Sequence, residues 1–422
     1  MRIDPENGDL QESAGGVAAG AVRVGVLSNT TWYLFNFRLN LMRALRDAGY
    51  QVIAIGPRDG YESRIEAAGF RHVDWSLDRA GTHPLNELGC VRDLRRSLKV
   101  EKLDVLLSYT PKGNIYAALA SQYDIPVIAN VSGLGRAFMK TGPLNWLVQG
   151  LYWLTFRRLA WVFFQNRDDM TLFVRRRLVG ESKIECLPGS GVDVRRFRPA
   201  SDAEPVVASA LPFVFLLAAR LLWDKGIGEY VEAARRIKQA HPATRFQLLG
   251  FLDARQHGSV ARTTIEAWTA EGLIEYLGAT DDVLPFLQAA DCVVLPSYRE
   301  GMPRILLEAA SVAKPVIAAD SPGCRDALVD GVTGLLCKPR DSGDLATKML
   351  SMLQMPPEKR REMGRQGRLR MLESFDENRV LTRYLAVLQR LTTHSNLVGA
   401  GICRSRLQKP NNGLPQGGNY EL

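Results

Sequence analysis

Short runs of apolar, β-branched residues alternate along the chain with longer stretches in which apolar residues recur every three or four positions. The first pattern predicts buried strands, and the second predicts helices that cover them. Helical patterns at 37–48 and 85–98 stand between apolar runs, and together they predict a doubly wound, parallel α/β domain over residues 21–199. The strands predicted for this domain are 22–27, 51–55, 104–107, 126–128 and 161–164.

The alternation lapses near residues 199–205 and then restarts, which predicts a second Rossmann-like domain over residues 200–375. Strands of this domain are predicted at 213–217 and 246–249 and near positions 274, 293, 316 and 335. A helix is predicted at 227–239, and the chain ends in two further helical patterns, 358–372 and 377–391. Residues 1–20 and 393–422 are expected to be disordered.

The composition is that of a globular protein large enough for two cores, with 422 residues, 46% apolar and 23% charged. The six cysteines form no C-x-x-C pair and the five histidines show no ligand spacing, so no metal site is expected. Free thiols of this kind fit a reducing cytoplasm. The most apolar stretch, 144–164, is interrupted by polar and charged residues, and we do not expect it to cross a bilayer.

The net charge of +9 is concentrated in the first half of the chain. Residues 1–200 hold 27 Lys and Arg against 20 Asp and Glu, whereas residues 201–422 hold 27 against 25. An excess of positive charge favours an anionic partner for the first domain. Charge alone leaves nucleic acid, anionic lipid and a phosphorylated acceptor open.

Residues 292–308 combine an apolar run, a short loop containing Gly301 and Pro303, and the start of a helical pattern. Glu300 lies in the loop and Glu308 lies about two turns into the helix. Unpaired N–H groups at a helix start favour phosphate, and carboxylates accept hydrogen bonds from hydroxyls. The segment therefore predicts a site for a nucleotide-activated sugar.

Arg220 and Lys225 follow the first predicted strand of the second domain, at the sheet edge where open α/β domains bind ligands. Guanidinium and ammonium groups there are suited to a diphosphate. The chain has no D-x-D motif for a metal, no G-x-G-x-x-G after its first strand and no G-x-x-x-x-G-K-[ST] motif. A dinucleotide oxidoreductase and a P-loop enzyme are therefore disfavoured.

Four blocks of the second half resemble family 4 of the retaining glycosyltransferases, in order and in spacing. They are Arg220-x4-Lys225-Gly226, Glu300-x7-Glu308, Asp320-Ser-Pro-Gly323-Cys-Arg-Asp326 and Asp330-Gly-Val-Thr-Gly334. This family has the GT-B fold, in which two Rossmann-like domains face each other across a cleft. Segments of the first half resemble the branch that glycosylates polyprenyl-diphosphate-linked saccharides: 28–38, 109–116, 132–135, 163–166 and 189–193.

The resemblance implies roles for the residues of the second domain. Glu300 is expected to contact the donor sugar and Glu308 the ribose, while Arg220 and Lys225 stabilise the charge on the departing nucleotide. The donor diphosphate is expected to lie on the backbone of Gly301, Met302, Pro303 and Arg304. A UDP-sugar is the co-substrate that the resemblance implies, with no cofactor and no metal requirement.

The resemblance also places the acceptor on the first domain and implies that a helix over 376–392 crosses back to that domain. For the candidate acceptor residues a capping or surface role stays open. They are Asn36, Arg38, Tyr109, Lys112 and Asn114.

The chain departs from the family pattern at two places in the first domain. Many relatives carry a histidine near the end of the fourth strand, where this chain has Tyr109, Thr110 and Pro111. The paired glycines of the first loop are replaced by Asn29, Thr30 and Thr31.

A helix over residues 143–159 would place Trp146, Gly150, Trp153 and Arg157 on the face opposite the sheet. Exposed tryptophan beside arginine is typical of helices that lie on a lipid surface, although packing against a neighbouring loop is the alternative. With the positive first half, this face favours a peripheral protein at the inner side of the cytoplasmic membrane rather than a nucleic-acid partner.

We therefore predict a retaining glycosyltransferase that moves a hexose or N-acetylhexosamine from a UDP-sugar to a lipid-linked saccharide. A nucleotide-sugar epimerase of the same architecture and a non-catalytic glycan-binding protein remain as alternatives. The residues do not distinguish one donor sugar from another.

Overall fold

The computed structural model describes residues 21–75, 77, 84–122, 124–134, 143–200, 212–252 and 258–399. Within these ranges the chain forms two domains, each built on one parallel sheet covered by helices. None of the helices in the described part is both long and apolar enough to cross a membrane. The predicted disorder of residues 1–20 lies outside the described residues.

The first domain contains a seven-stranded sheet in the order β3-β2-β1-β4-β5-β6-β7. Its strands are β1 (Arg23–Leu27), β2 (Gln51–Gly56), β3 (Arg71–Asp74), β4 (Val105–Tyr109), β5 (Val127–Val131), β6 (Trp161–Phe164) and β7 (Ile184–Cys186). Its helices are α1 (Thr31–Asp47), α2 (Glu62–Ala67), α3 (Pro84–Val100), α4 (Pro111–Ser121), α5 (Pro143–Phe156) and α6 (Arg167–Arg175). The five predicted strands are all present, because central parallel strands are buried on both faces and therefore continuously apolar.

The second domain contains a six-stranded sheet in the order β10-β9-β8-β11-β12-β13. Its strands are β8 (Val214–Ala218), β9 (Arg245–Leu249), β10 (Glu275–Tyr276), β11 (Cys292–Leu295), β12 (Val316–Ala319) and β13 (Gly334–Cys337). Its helices are α7 (Ile227–Ala240), α8 (Arg262–Ala270), α9 (Leu284–Ala289), α10 (Arg304–Ser311), α11 (Ser342–Gln354) and α12 (Pro357–Arg370). A π-helical turn, Met371–Phe375, follows α12 and precedes α13 (Glu377–Gly399). These two sheets confirm the predicted GT-B architecture.

Helix α13 packs on the first domain although it follows the second in sequence. Val380, Tyr384 and Leu388 are buried in the same cluster as the strands of the first sheet. The ring of Tyr384 lies 4.6 Å from that of Phe163, and its hydroxyl accepts a hydrogen bond from the amide of Asn130 at 2.8 Å. Helix α13 thus ties the two domains together.

The predicted start of α1 and the predicted end of α13 are wrong. Helix α1 begins at Thr31 instead of residue 37, because the Thr30 hydroxyl caps it by accepting from the Tyr33 N–H at 3.0 Å. Helix α13 continues to Gly399 instead of ending near 391, since residues 391–398 contain neither glycine nor proline. The part of the predicted disordered tail that precedes residue 400 is therefore helical.

In both sheets the strand order reverses at one point, between β1 and β4 and between β8 and β11. Loops that leave such a point in opposite directions open a crevice at the carboxyl ends of the strands, where ligands bind in this fold class. The loop between β11 and α10, residues 297–303, is called the acid loop below. It lies against the first domain, because a Cβ added to Gly301 would be 2.5 Å from the carbonyl oxygen of Ser132.

Candidate active site

Lys225 and the acid loop meet at the point where the second sheet reverses its strand order. Strand β8 pairs with β11, so the segments that follow these two strands leave the sheet side by side. Lys225 ends a short 3-10 turn, Trp223–Lys225, and Gly226 follows with φ of 74°. A Cβ on Gly226 would be 2.3 Å from the carbonyl oxygen of Pro296. Glycine therefore allows the two segments to come close enough for their side chains to touch.

The Lys225 ammonium lies 2.5 Å from Glu300 Oε1, and the two side chains are only 13% and 16% exposed. The Ser297 hydroxyl donates to the same carboxylate oxygen at 2.7 Å. Ser297 is fully buried, and its own carbonyl oxygen accepts from the Ser321 hydroxyl at 2.7 Å. Glu300 is thus held in one orientation by a charged donor and a neutral donor. The sequence prediction had not assigned Ser297 a role.

The block that begins at Asp320 supports the acid loop from the second domain. The N–H of Glu300 donates to the carbonyl oxygen of Pro322 at 3.0 Å. Gly323 has φ of 81°, and a Cβ there would lie 2.4 Å from the carbonyl oxygen of Glu300. The Gly323 N–H donates to the Asp326 carboxylate at 3.1 Å. Only glycine fits this contact, so this block fixes the position of the acid loop relative to the second sheet.

Helix α10 begins beside Glu300 without a capping side chain. Pro303 occupies the N-cap position and makes no side-chain hydrogen bond to the helix. It has no N–H, so of the four predicted loop residues only Gly301, Met302 and Arg304 have an N–H to offer a phosphate. The side chains of Met302 and Pro303 are buried and support the loop.

Glu308 is paired with Arg304 rather than directed alone into the cleft. The two side chains are 3.1 Å apart, one helical turn from each other, and Glu308 is buried. Arg304 also donates to the carbonyl oxygen of Asn36 at 3.0 Å and lies over the ring of Phe37. One guanidinium therefore links the second glutamate to the first domain.

Arg220 lies two residues beyond β8, at the same edge of the sheet as Lys225, and it is exposed. The structure thus brings Lys225, Glu300 and the start of α10 together, and Arg220 shares their edge of the sheet.

Asn36 and Arg38 both lie within α1, whereas the predicted helix start at residue 37 had left Asn36 outside it. The Asn36 amide donates to the Trp32 carbonyl oxygen within the helix at 3.0 Å. Arg38 is buried, donates to the Tyr33 hydroxyl at 2.6 Å and lies over the ring of Tyr109 at 4.2 Å. Burial raises the pKa of Tyr109 well above its ordinary value of 10.0, so its hydroxyl is neutral.

Lys112 and Asn114 are both engaged by neighbouring side chains or backbone. Lys112 pairs with Glu87 at 2.8 Å. The Asn114 amide donates to the Asn130 carbonyl oxygen at 2.9 Å, and its oxygen accepts from the Ser108 hydroxyl at 2.9 Å. These two bonds connect β4 to β5 through the Asn114 side chain. Because Asn114 is 1% exposed, an acceptor could reach it only by breaking them.

Ser28 Oγ and Thr110 Oγ1, at the reversal point of the first sheet, make no hydrogen bond within the described part of the chain. They follow β1 and β4, which are neighbours in the sheet. Thr110 has φ of 70° and ψ of 153°, a conformation that costs a residue other than glycine about 1–3 kcal/mol. Strain and unsatisfied polar atoms together mark the place where the family pattern has a histidine.

The described residues contain no group of histidine, cysteine and acidic side chains placed to hold a metal ion. In the same ranges Cys90, Cys186, Cys292, Cys324 and Cys337 are free thiols, as the spacing predicted. Cys403 lies outside the described residues.

The helix predicted over 143–159 ends at Phe156, so Arg157 lies just beyond α5. Within α5 the predicted faces are confirmed. Tyr152 is buried against the first sheet, whereas Trp146 is 76% exposed and Trp153 45%. The Arg157 guanidinium lies 4.1 Å from the centre of the Trp153 ring. Arg157 also lines a pocket of about 580 Å³, together with Arg177 and Lys183.

Comparison with known proteins identifies the family of both domains. The family model "Glycosyl transferases group 1" matches residues 205–370, and "Glycosyl transferase 4-like domain" matches residues 37–189. A Campylobacter jejuni protein named N,N'-diacetylbacillosaminyl-diphospho-undecaprenol alpha-1,3-N-acetylgalactosaminyltransferase is 30% identical over 88% of this chain and 99% of its own. A glycogen synthase of Mycobacterium tuberculosis is 26% identical over 68% of this chain and 71% of its own.

Solved structures share the fold at low sequence identity. Sucrose-phosphate synthase of Thermosynechococcus elongatus superimposes with a TM-score of 0.73 at 18% identity, over 88% of this chain and 100% of its own. The Anabaena protein HepE, solved in complex with UDP and glucose, gives 0.72 at 18% identity, over 87% and 99%. The epimerase and the non-catalytic binder are set aside, since both domains match transferase families. The chain is an enzyme that belongs to family 4 of the glycosyltransferases and has the GT-B fold.

Proposed function

We propose that this glycosyltransferase moves a hexose or N-acetylhexosamine from a UDP-sugar to a polyprenyl-diphosphate-linked saccharide, with retention of anomeric configuration. Assembly of a surface polysaccharide or glycan is the process in which such a transfer occurs. The observation that carries the proposal is the contact between Lys225 and Glu300 beside the start of α10. It puts a cation, a carboxylate and unpaired backbone N–H groups in reach of one small ligand.

The donor would lie along the acid loop. Glu300 accepts hydrogen bonds from the sugar hydroxyls, and the N–H groups at the loop and the helix start bind the diphosphate. Glu308, fixed by Arg304, accepts from the ribose hydroxyls. Each charge-assisted hydrogen bond of this kind contributes about 1.5–3 kcal/mol.

Departure of the nucleotide leaves negative charge on the diphosphate, and the cations of this edge neutralise it. Lys225 is close enough to exchange its contact with Glu300 for one with a phosphate oxygen. Arg220 would add a second cation from the same edge of the sheet. Charges that are already in place before the reaction usually contribute more than any other effect to enzymatic rate enhancement. We therefore expect transfer to proceed without a divalent metal ion.

The acceptor would approach from the first domain, where Ser28 and Thr110 have hydroxyl groups with unused hydrogen-bonding capacity. In a front-face reaction, the donor phosphate takes the proton of the acceptor hydroxyl. That hydroxyl then forms its bond to the anomeric carbon on the side from which the nucleotide leaves. No second carboxylate opposite Glu300 is needed for this step.

A lipid-linked acceptor is supported by the Campylobacter jejuni relative, whose name describes transfer to a diphospho-undecaprenol-linked sugar. The positive first domain and the exposed tryptophans of α5 fit a lipid surface. We place the enzyme at the inner face of the cytoplasmic membrane, held there through α5 and the basic residues beside it.

The test of transfer uses purified protein, a polyprenyl-diphosphate-linked saccharide in detergent micelles, and a panel of UDP- and GDP-sugars with and without EDTA. Acceptor-dependent release of UDP, unchanged by EDTA, is the expected result, and NMR of the product gives its anomeric configuration. Isomerisation of the donor sugar or the absence of any turnover contradicts the proposal. An inverted product contradicts retention alone.

The test of membrane attachment is flotation with vesicles that contain anionic phosphatidylglycerol. The variant Trp146→Ser/Trp153→Ser/Arg157→Glu is expected to remain in the soluble fraction, while the parent floats. Phe251→Ser, which removes an exposed aromatic ring from the second domain, is the matched control and should float like the parent. A triple variant that binds like the parent defeats this part of the proposal.

A further inference from the structure

A buried ion pair joins the two domains one residue before Glu300. Arg299 of the acid loop donates from Nη2 to Oδ1 of Asp169, at the start of α6 in the first domain. The side chain of Asp169 is 0% exposed and that of Arg299 19%. Because the two residues belong to different domains, this pair exists only while the cleft is closed.

Asn166 reinforces the same contact from the first domain. Its side-chain oxygen accepts from the Asp169 N–H at 2.8 Å, which caps α6. Its side-chain N–H group donates to the carbonyl oxygens of Gly301 at 2.8 Å and Glu300 at 3.2 Å. One amide therefore completes a helix of the first domain and binds the backbone of the acid loop of the second.

The backbone of the acid loop touches the first domain around this pair. A Cβ added to Gly133 would be 3.0 Å from the N atom of Gly301, and one added to Gly189 would be 2.5 Å from the side chain of Met302. Both glycines have positive φ, 110° and 66°. Gly301 and Met302, the two residues after Glu300, therefore both lie directly against the first domain.

A second ion pair between the domains lacks this burial. Arg64 and Asp281 are 2.9 Å apart, but each side chain is 49% exposed. Exposed pairs contribute little to stability, whereas a buried pair tolerates only one geometry because each charge has lost its water. Burial raises the pKa of Asp169, and Arg299 and Asn166 lower it partway back.

We infer that Asn166, Asp169 and Arg299 form a latch that positions Glu300 for catalysis when the domains close. They touch no substrate. They hold the acid loop in one position and orientation against the first domain. Closure of the cleft thereby sets the geometry in which the donor sugar meets the acceptor. The inference rests on the proposed function for its effect on turnover, but not for its effect on the loop.

The experiment compares the parent with Asp169→Asn, Arg299→Met, Arg299→Lys and the double variant Asp169→Asn/Arg299→Met. Hydrogen–deuterium exchange measures the opening of peptides that cover residues 297–304 in protein without ligand. Calorimetry measures UDP affinity, and acceptor-dependent UDP release measures kcat. Arg64→Met, which breaks the exposed contact between the domains, is the matched control.

We expect faster exchange of the acid loop in both single charge-removing variants and a kcat about 100-fold lower, the cost of a displacement of about 1 Å at a reacting centre. UDP affinity should stay near that of the parent, since the nucleotide contacts lie in the second domain. The double variant should lose no more than the worse single variant, and Arg299→Lys should recover part of the loss. Arg64→Met should match the parent throughout.

Exchange like that of the parent in Asp169→Asn and Arg299→Met overturns the inference, as does an equal loss of kcat in Arg64→Met. A fall in UDP affinity as large as the fall in kcat also overturns it, because the residues would then support the nucleotide site itself. Should Asp169→Asn fail to fold, the two Arg299 variants decide the question. If the parent transfers no sugar, the proposed function fails and the exchange data alone decide on the latch.

Discussion

The ammonium group of Lys225 and the carboxylate of Glu300 lie 2.5 Å apart across the point where the strand order of the second sheet reverses. Each residue comes from the loop that leaves one of two neighbouring strands, β8 and β11. In the absence of a ligand the two charges neutralise each other. A donor with a diphosphate and a sugar offers each of them a better partner, the phosphate for Lys225 and the hydroxyls for Glu300.

Replacing Lys225 with methionine keeps most of the length of the side chain and removes its charge. We expect kcat to fall about 100-fold or more, the usual loss for one preorganised electrostatic group, with a smaller loss of UDP affinity. Lys238→Met, at the other end of α7, is the control and should leave kcat unchanged. Steady-state kinetics of acceptor-dependent UDP release check both variants. Equal rates for the parent and Lys225→Met would show that this charge has no part in the reaction.

The variant Gly301→Ala tests the contact between the acid loop and the first domain. Its Cβ would be 2.5 Å from the carbonyl oxygen of Ser132, a distance that forces the loop or the domain to move. We expect kcat to fall by about 100-fold with little change in circular dichroism. Gly89→Ala, on an exposed position of α3 where the new Cβ would meet no atom outside the backbone of its own helix within 4 Å, should keep the activity of the parent. An active Gly301→Ala enzyme would show that the closed contact is not needed.

Asn114 and Asn36 separate structural from acceptor-binding roles in the first domain. Asn114→Ala leaves a buried hydroxyl and a buried carbonyl group without their partner, so we expect the free energy of unfolding to fall by about 1–3 kcal/mol. Asn36→Ala loses only a bond within α1 and should change stability little. Urea unfolding measures both. A stable Asn114→Ala protein with a raised KM for acceptor would contradict the structural role and show that Asn114 binds the acceptor.

His72 predicts a pH dependence of stability in the first domain. Burial lowers the pKa of its imidazole below the ordinary value of 6.5, although Asp74 and Glu62 raise it in part. A lowered pKa in the folded state means that His72 contributes stability above pH 6.5, and this is lost as the pH falls through the lowered value. Thermal unfolding between about pH 7.5 and 5 should show a smaller decrease for His72→Gln than for the parent. Parallel curves for the two proteins would contradict this assignment.

Much of the fold and the centre of the site followed from the sequence because both are local features. A strand buried on two faces is a continuous apolar run, and the site residues of the second domain stand close together after β8 and β11. Glu300 and Glu308 lie within one loop and the helix that follows it, so a single short motif contains both.

What the sequence did not predict depends on contacts between distant segments. Asp169 and Arg299 are 130 residues apart, and neither stands out until the domains face each other. Burial of Asn114 likewise depends on β5, and the contact of Arg304 with Asn36 depends on how the first turn of α10 meets α1. The start of α1 was missed for a different reason, since the capping role of Thr30 lies in a single hydroxyl rather than in a periodic pattern.

A crystal structure of the UDP complex tests most directly whether Lys225, Glu308 and the start of α10 converge on one nucleotide. We predict the diphosphate at the first turn of α10, with a phosphate oxygen about 3 Å from Lys225 Nζ and the ribose hydroxyls on Glu308. UDP bound elsewhere, with the contact between Lys225 and Glu300 intact and turned away from the nucleotide, would contradict the proposed donor site.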